Sequence, residues 1–187
     1  MSSGIQLILR RVLLGLVFAL AVVPQNSFGW GHYGHRIVAR VGATLATNGN
    51  DFWKANVQNM AYLTNVPDMK WKSGPSANDE KPNHWFQPDS YFPTPDQFFQ
   101  FPHKYTQAVA KYTEAEIIKN GTAPWRIGQL YAMAIANMKK GDFNTALQMA
   151  GVMSHYVGDL SQPLHVSKNY DGQETNDVGI HKFFETT

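Results

Sequence analysis

Between Ser154 and His165 the chain reads Ser-His-Tyr-Val-Gly-Asp-Leu-Ser-Gln-Pro-Leu-His. This stretch constrains the fold more than any other. His155 and Asp159 are four residues apart, so on a helix they share one face. Gln162-Pro163 then breaks the helix, and His165 turns back from just beyond its end. Two imidazoles and a carboxylate within a dozen residues form a metal-ligand pattern, and nitrogen with oxygen donors suits zinc. A helical histidine that merely hydrogen-bonds in the core or at the surface is the alternative for this segment taken alone.

The helix that carries this motif belongs to an all-α pattern. Gly31 to Leu45 reads helical, with Ile37, Val38, Val41 and Leu45 on one side. Asp51 to Leu63 is a second helix, with Phe52, Ala55 and Val57 inward. From Thr64 to Pro102 the periodicity fails and prolines punctuate a long irregular stretch. Its aromatics (Trp71, Trp85, Phe86, Tyr91, Phe92, Phe98 and Phe99) predict a packed loop rather than a disordered one. Helical spacing returns at His103–Lys119 and stops at Asn120-Gly121. Thr122 then caps a helix with Pro124 in its first turn. Its buried stripe is Ile127, Leu130, Tyr131, Ala134 and Met138, and Lys139-Lys140-Gly141 closes it. Asp142 caps the next, with Ala146, Leu147, Ala150, Met153 and Val157 inward. Val178 to Glu185 starts another. No strand alternation is convincing, and no repeat or linker divides the chain.

Residues 1–29 stand apart. Arg10 and Arg11 precede an apolar run from Val12 to Val23, and Ser27-Phe28-Gly29 offers small residues at a cleavage site. That is a secretory signal pattern, with a retained membrane anchor as the alternative. Cleavage between Gly29 and Trp30 would give a secreted or periplasmic protein with one domain, 30–187. The segment holds two of the 16 Lys+Arg and none of the 14 Asp+Glu, so the remainder is neutral overall. No global field then draws it to nucleic acid or anionic lipid, and an anionic substrate needs local positive charge. The chain has no cysteine. Cys-type zinc sites are therefore excluded, and an exported chain must rely on its core or on bound metal for stability.

Further donors are scattered along the chain. His35 lies near the start of the first helix, Asp68 follows Pro67, and His84 follows Pro82-Asn83. His181 and Glu185 are again four apart. His32 and His103 read as surface residues.

Three motifs, Trp30-Gly-His-Tyr-Gly-His35, His155-Tyr-Val-Gly-Asp159-Leu-Ser-Gln-Pro-Leu-His165 and Gly179-Ile-His181-Lys-Phe-Phe-Glu185, resemble the superfamily of zinc-dependent phospholipase C and the S1/P1 type of single-strand nuclease. The resemblance spans Trp30 to Glu185. It implies a single-domain helical bundle with three zinc ions. Asp68, His84, His155 and Asp159 would hold the first. Trp30, His35 and a bridging Asp159 would hold the second, and His165, His181 and Glu185 the third. Trp30 would bind through its α-amino nitrogen and carbonyl oxygen; a core aromatic is the alternative. A free α-amino group titrates near pH 7.7–8.0, about where zinc displaces its proton at neutral pH. Signal cleavage would thus create a ligand.

The implied reaction is phosphodiester hydrolysis by water activated on zinc, with Asp68 orienting that water and no protein nucleophile. The short spacing from Trp30 to His35 is nuclease-like. Glu185 and His84-Trp-Phe-Gln-Pro-Asp89 look more like the phospholipase branch. Lys70 or Lys72 would supply the phosphate contact that nucleases of this type make with arginine. Trp85 would stack a base, with packing in the loop as the alternative. The substrate is thus single-stranded DNA or RNA, with a phosphatidylcholine-like head group as the alternative. A non-catalytic helical metal-binding protein is the reading from another class. No stable protein partner is implied, and a monomer is expected. The resemblance also predicts chain beyond Thr187, since the family pattern continues past Glu185.

Overall fold

The computed structural model describes residues 31–46 and 50–186. The expected signal segment, Trp30, the turn at 47–49 and Thr187 lie outside the described residues. Among the described residues there is no strand, and the fold is all-α. No helix in that part is long and apolar enough to cross a membrane.

Helices α1 (His32–Leu45), α2 (Asn50–Ala55) and α3 (Val57–Leu63) come first. The expected single helix from Asp51 to Leu63 is broken at Asn56, whose side-chain amide donates to the Phe52 carbonyl at 2.8 Å and competes with the helical ladder. Ala55, expected inward, is exposed.

The stretch from Thr64 to Pro102 is not structureless. It is a string of short turns: a π-helical one at Pro67–Trp71, the short helix α4 (Ala77–Glu80), and 3₁₀ turns at Lys81–His84, Pro88–Ser90 and Pro95–Gln100. Proline stands in the first turn of four of these five, where its missing N–H costs nothing. Phe86, Tyr91 and Phe92 pack around Phe101, Ala108 and Ile117. Phe99, expected to pack, is 88 % exposed.

The expected helix His103–Lys119 is two, α5 (Tyr105–Tyr112) and α6 (Glu114–Asn120), divided at Thr113, whose φ is +69°. The Thr113 hydroxyl accepts from the Glu116 amide and caps α6.

The centre of the bundle is the pair α7 (Ala123–Lys140) and α8 (Phe143–Leu160). Gly141 ends α7 in the left-handed region, and the Asp142 carboxylate accepts from the Thr145 amide at 3.1 Å to start α8. Helices α1 and α3 pack on α8. Here the expected stripes need correction. Ile37, Val41 and Leu45 are exposed, and α1 buries His35, Ala39 and Ala43 instead. Tyr131 on α7 and Val157 on α8 are also exposed. Ala39, Ala43, Met60, Ala134, Leu147 and Ala150 form one core, and Leu130, Val152 and Tyr156 another beneath the histidines. Helix α9 (Ile180–Thr186) comes last.

Candidate metal centre

Helix α8 presents His155 and Asp159 from successive turns. They are 0 % and 2 % exposed, at the end of α8 that faces α1. A buried carboxylate and imidazole need partners, and three further segments supply them.

The turn Lys81–His84 brings His84 Nδ1 to 3.0 Å from Asp159 Oδ2 and 3.0 Å from His155 Nε2. The π-helical turn brings Asp68 Oδ1 to 3.6 Å from His155 Nε2 and 3.8 Å from His84 Nδ1. From α1, His35 Nε2 reaches the other oxygen, Asp159 Oδ1, at 3.3 Å. The His35 ring stacks on that of His155 with centroids 3.9 Å apart. This closeness requires Gly158, because a Cβ there would stand 2.7 Å from His35 Nδ1.

A second cluster lies beyond the end of α8. The expected break occurs: α8 stops at Leu160, and Pro163–His165 forms a 3₁₀ turn that buries His165. Helix α9 places His181 and Glu185 on one face. His165 Nε2 is 2.7 Å from Glu185 Oε1, and His181 Nε2 is 3.1 Å from the same oxygen. The two Nε2 atoms are 3.2 Å apart.

The donor chemistry fits a cation in both places. His165 Nδ1–H donates to the His84 carbonyl at 2.6 Å, and His181 Nδ1–H to the Tyr170 carbonyl at 2.9 Å. Their Nε2 lone pairs therefore face each other and a carboxylate, with room for a proton or a metal between them. In the deeper cluster, burial pushes the His155 imidazole down to about 3, so it stays neutral, with its Nε2 turned on His84 Nδ1 and two carboxylates. Donor atoms of His35, Asp68 and His155, of His84, His155 and Asp159, and of His165, His181 and Glu185 converge within 4.8 Å in each trio.

The carboxylates are held ionised. Burial acts to raise Asp159, but His155, His35 and His84 hold it well below the usual carboxylate range. Asp68 is likewise raised by burial and lowered more by His155 and by Lys72, whose Nζ lies 2.8 Å away. For Glu185, burial is outweighed by hydrogen bonds from His165 and His181, and the net shift is down. His165 moves up: burial opposes its charge, and Glu185 and Asp159 more than compensate.

A cavity of about 740 Å³ opens beside the second cluster, lined by Lys72, Trp85, Lys119, Tyr170, His181 and Glu185 among others. Trp85 Nε1–H donates to the Lys119 carbonyl at 3.4 Å. Gly121, at φ +98°, lies against the Trp85 backbone, where a Cβ would come within 2.1 Å of its carbonyl oxygen.

The sequence-derived residues thus fall out as follows. His35, Asp68, His84, His155 and Asp159 are brought together, and so are His165, His181 and Glu185. Trp85 and Lys72 line the cavity, while Lys70 is exposed outside it. His103 is exposed as expected, but His32 is half-buried. Sequence reasoning missed Lys119 and Tyr170 in the cavity, and Glu80 behind His84. Glu80 had a readable signal: it stands four residues before His84, the same acid–imidazole spacing as His155/Asp159 and His181/Glu185.

The family model described as S1/P1 Nuclease matches residues 30–184. Nuclease S1 of Aspergillus oryzae is 22 % identical over 189 aligned positions, which cover 93 % of this chain and 59 % of that protein. A probable serine protease of Bradyrhizobium tropiciagri is 38 % identical over 64 residues, 34 % of this chain but 8 % of that protein. The chain thus spans less than two thirds of either relative's length. No solved structure matches it significantly. With its donors arranged around α8 and the family model matched over residues 30–184, the chain belongs to the S1/P1 nuclease family.

Proposed function

We propose that this chain is a secreted, zinc-dependent phosphodiester hydrolase that cuts single-stranded DNA and RNA. Asp68, His84, His155 and Asp159 would hold one zinc. His35, Asp159 and the α-amino end of Trp30 would hold a second, and His165, His181 and Glu185 a third. Bound zinc would supply Lewis-acid charge and bring the pKa of water from about 15.7 toward about 7.

The protein groups have separate tasks. Asp159 turns one oxygen to His35 and the other to His84 and His155, which suits a carboxylate shared between two ions. Asp68, kept anionic beside Lys72, orients the attacking water by accepting its hydrogen. Lys72 also places positive charge where a phosphate would lie, which a chain with no net charge beyond residue 29 must provide locally. Trp85, anchored on Lys119 and Gly121, offers a ring to a splayed base, worth roughly 1–3 kcal/mol and indifferent to sequence. A duplex keeps its bases stacked and offers none, hence the preference for single strands.

One observation carries this reading: the two oxygens of Asp159 face two different sets of imidazole nitrogens at 3.0–3.3 Å. The cavity beside the second cluster favours a catalyst over a closed structural site. Export and processing complete the proposal. Residues 1–29 would be removed, and the intact mass of the exported protein should place its N-terminus at Trp30. The decisive assay compares the purified protein on single-stranded DNA, RNA and phosphatidylcholine, with chelator and with zinc restored. Hydrolysis of nucleic acid that is lost in chelator and regained with zinc is expected. Turnover of phosphatidylcholine alone would move the chain to the phospholipase reading, and no turnover of any substrate would favour a non-catalytic metal-binding protein.

A further inference from the structure

Behind His84, on the side away from the converging donors, lies a buried carboxylate with no part in the mechanism above. Glu80 is 6 % exposed. It is fixed by groups from three elements. The Tyr156 hydroxyl donates to Oε1. Asn83 Nδ2 donates to Oε2 at 3.3 Å, and the Arg126 guanidinium lies 3.8 Å from the same oxygen. Arg126 is itself set over the rings of Trp71 and Tyr156, at 5.4 and 6.0 Å from their centroids.

The remaining neighbour of Oε1 is His84 Nε2, 3.7 Å away. That nitrogen is buried and makes no hydrogen bond. Its ring partner Nδ1 points at Asp159, His155 and Asp68, where a bound zinc would take its lone pair. A neutral imidazole has one N–H, so it must sit on Nε2. A buried N–H needs an acceptor, and a closure of ~0.7 Å brings Glu80 to hydrogen-bond length.

We propose that Glu80 is a positioning residue for His84: its carboxylate accepts the Nε2–H and so keeps Nδ1 turned inward with its lone pair free. Carboxylates in this relation to a ligating imidazole fix the tautomer and raise the basicity of the opposite nitrogen. The inference rests on the proposed function in one respect, that His84 holds zinc. Tyr156 follows His155 directly in the chain, so α8 carries both a donor of the site and the anchor of the group behind it.

The test uses the full chain loaded with zinc. Glu80→Gln keeps the shape but presents no carboxylate to the N–H. Zinc affinity, measured by competition with a chromophoric chelator, should fall about 10- to 100-fold, with the far-ultraviolet circular dichroism of the wild type retained. Tyr156→Phe leaves the carboxylate in place and should stay within about threefold of wild-type affinity, below the 10- to 100-fold cost of losing an outer partner. An affinity of Glu80→Gln within that same threefold, or an equal loss in both variants, overturns the proposal. If Glu80→Gln does not fold, long-range proton–nitrogen spectra of the zinc-loaded wild type decide. A proton on His84 Nε2 supports the assignment, and a proton on Nδ1 overturns it. A wild-type protein that takes up no zinc overturns the proposed function, and this inference with it.

Discussion

His165 donates its Nδ1–H to the backbone carbonyl of His84 at 2.6 Å, and the Phe86 amide donates to the His165 carbonyl at 3.0 Å. One donor of the second cluster is therefore oriented by the main chain that carries a donor of the first. The segment following His165 is tied to the same strip of chain, because Asp89 accepts from the Ser167 hydroxyl and the Lys168 amide at 2.8 and 2.9 Å. Loss of His165 should then damage both clusters. His165→Ala is expected to lower zinc content by more than one ion per chain, and His181→Ala by about one, since it touches only the second cluster. Elemental analysis of the purified variants checks this. Equal losses would mean that the clusters fill independently.

Gly158→Ala separates stability from activity. Its Cβ would stand 2.7 Å from His35 Nδ1, and overpacking of this kind costs about 1–3 kcal/mol. Alanine returns about 1 kcal/mol of helix propensity. The net loss of stability should be about 0–2 kcal/mol, while activity on single-stranded DNA falls at least ~10-fold because a donor beside Asp159 is displaced. Unchanged activity would show that His35 tolerates the shift.

Lys72→Met should move the acid limb of the pH–activity profile. The ammonium 2.8 Å from Asp68 helps to hold that carboxyl down against burial. Without it the Asp68 pKa rises, the carboxylate takes up its proton at higher pH, and the acid limb of kcat/KM moves to higher pH. A limb that stays in place would detach Lys72 from Asp68.

The metal-free protein should be most stable near pH 6.5. The folded-state pKa of His155 is depressed to about 3 by burial. Its contribution is complete above about 6.5, the ordinary imidazole value, and is lost as pH falls below it. Asp159, Asp68 and Glu185, also depressed, add to the loss below about pH 4. His165 is raised, so its contribution is complete below about 6.5 and is lost as pH rises through its folded value. Each limb should slope by at most about 1.4 kcal/mol per pH unit per proton. Zinc competes with those protons, so loading it should move the maximum to higher pH. Urea unfolding midpoints between pH 5 and 8, with and without chelator, check both statements. A midpoint rising steadily across that range in chelator would contradict the His165 assignment.

Much of this was legible in the sequence where a single local rule decides. The spacing of His155 and Asp159, the Asp142 cap, the Gly141 stop and the Gln162-Pro163 break all depend on neighbours within one turn. The apolar stripe on α1 points away from the buried face, and apolarity alone carries no measure of side-chain size. Helix α1 presses so closely on α8 at Gly158 that its inward positions are filled by His35, Ala39 and Ala43, while Ile37, Val41 and Leu45 stay outside. The division at Thr113 needs a positive φ that no residue other than glycine advertises. The spacing of Glu80 to His84 is legible, but in Asp79-Glu80-Lys81 the residue reads as solvated, and its partners Tyr156 and Arg126 are 76 and 46 positions away.

The donors of the deeper cluster come from residues 35, 68, 84, 155 and 159, so no short piece of the chain holds that set. The polypeptide has to close around α8 before that cluster exists, and an ion caught there ties distant stretches together much as a crosslink would in a protein that has cysteines. Catalytic competence and resistance to proteolysis should therefore arise in the same step, and the chain would stay inert until it meets zinc.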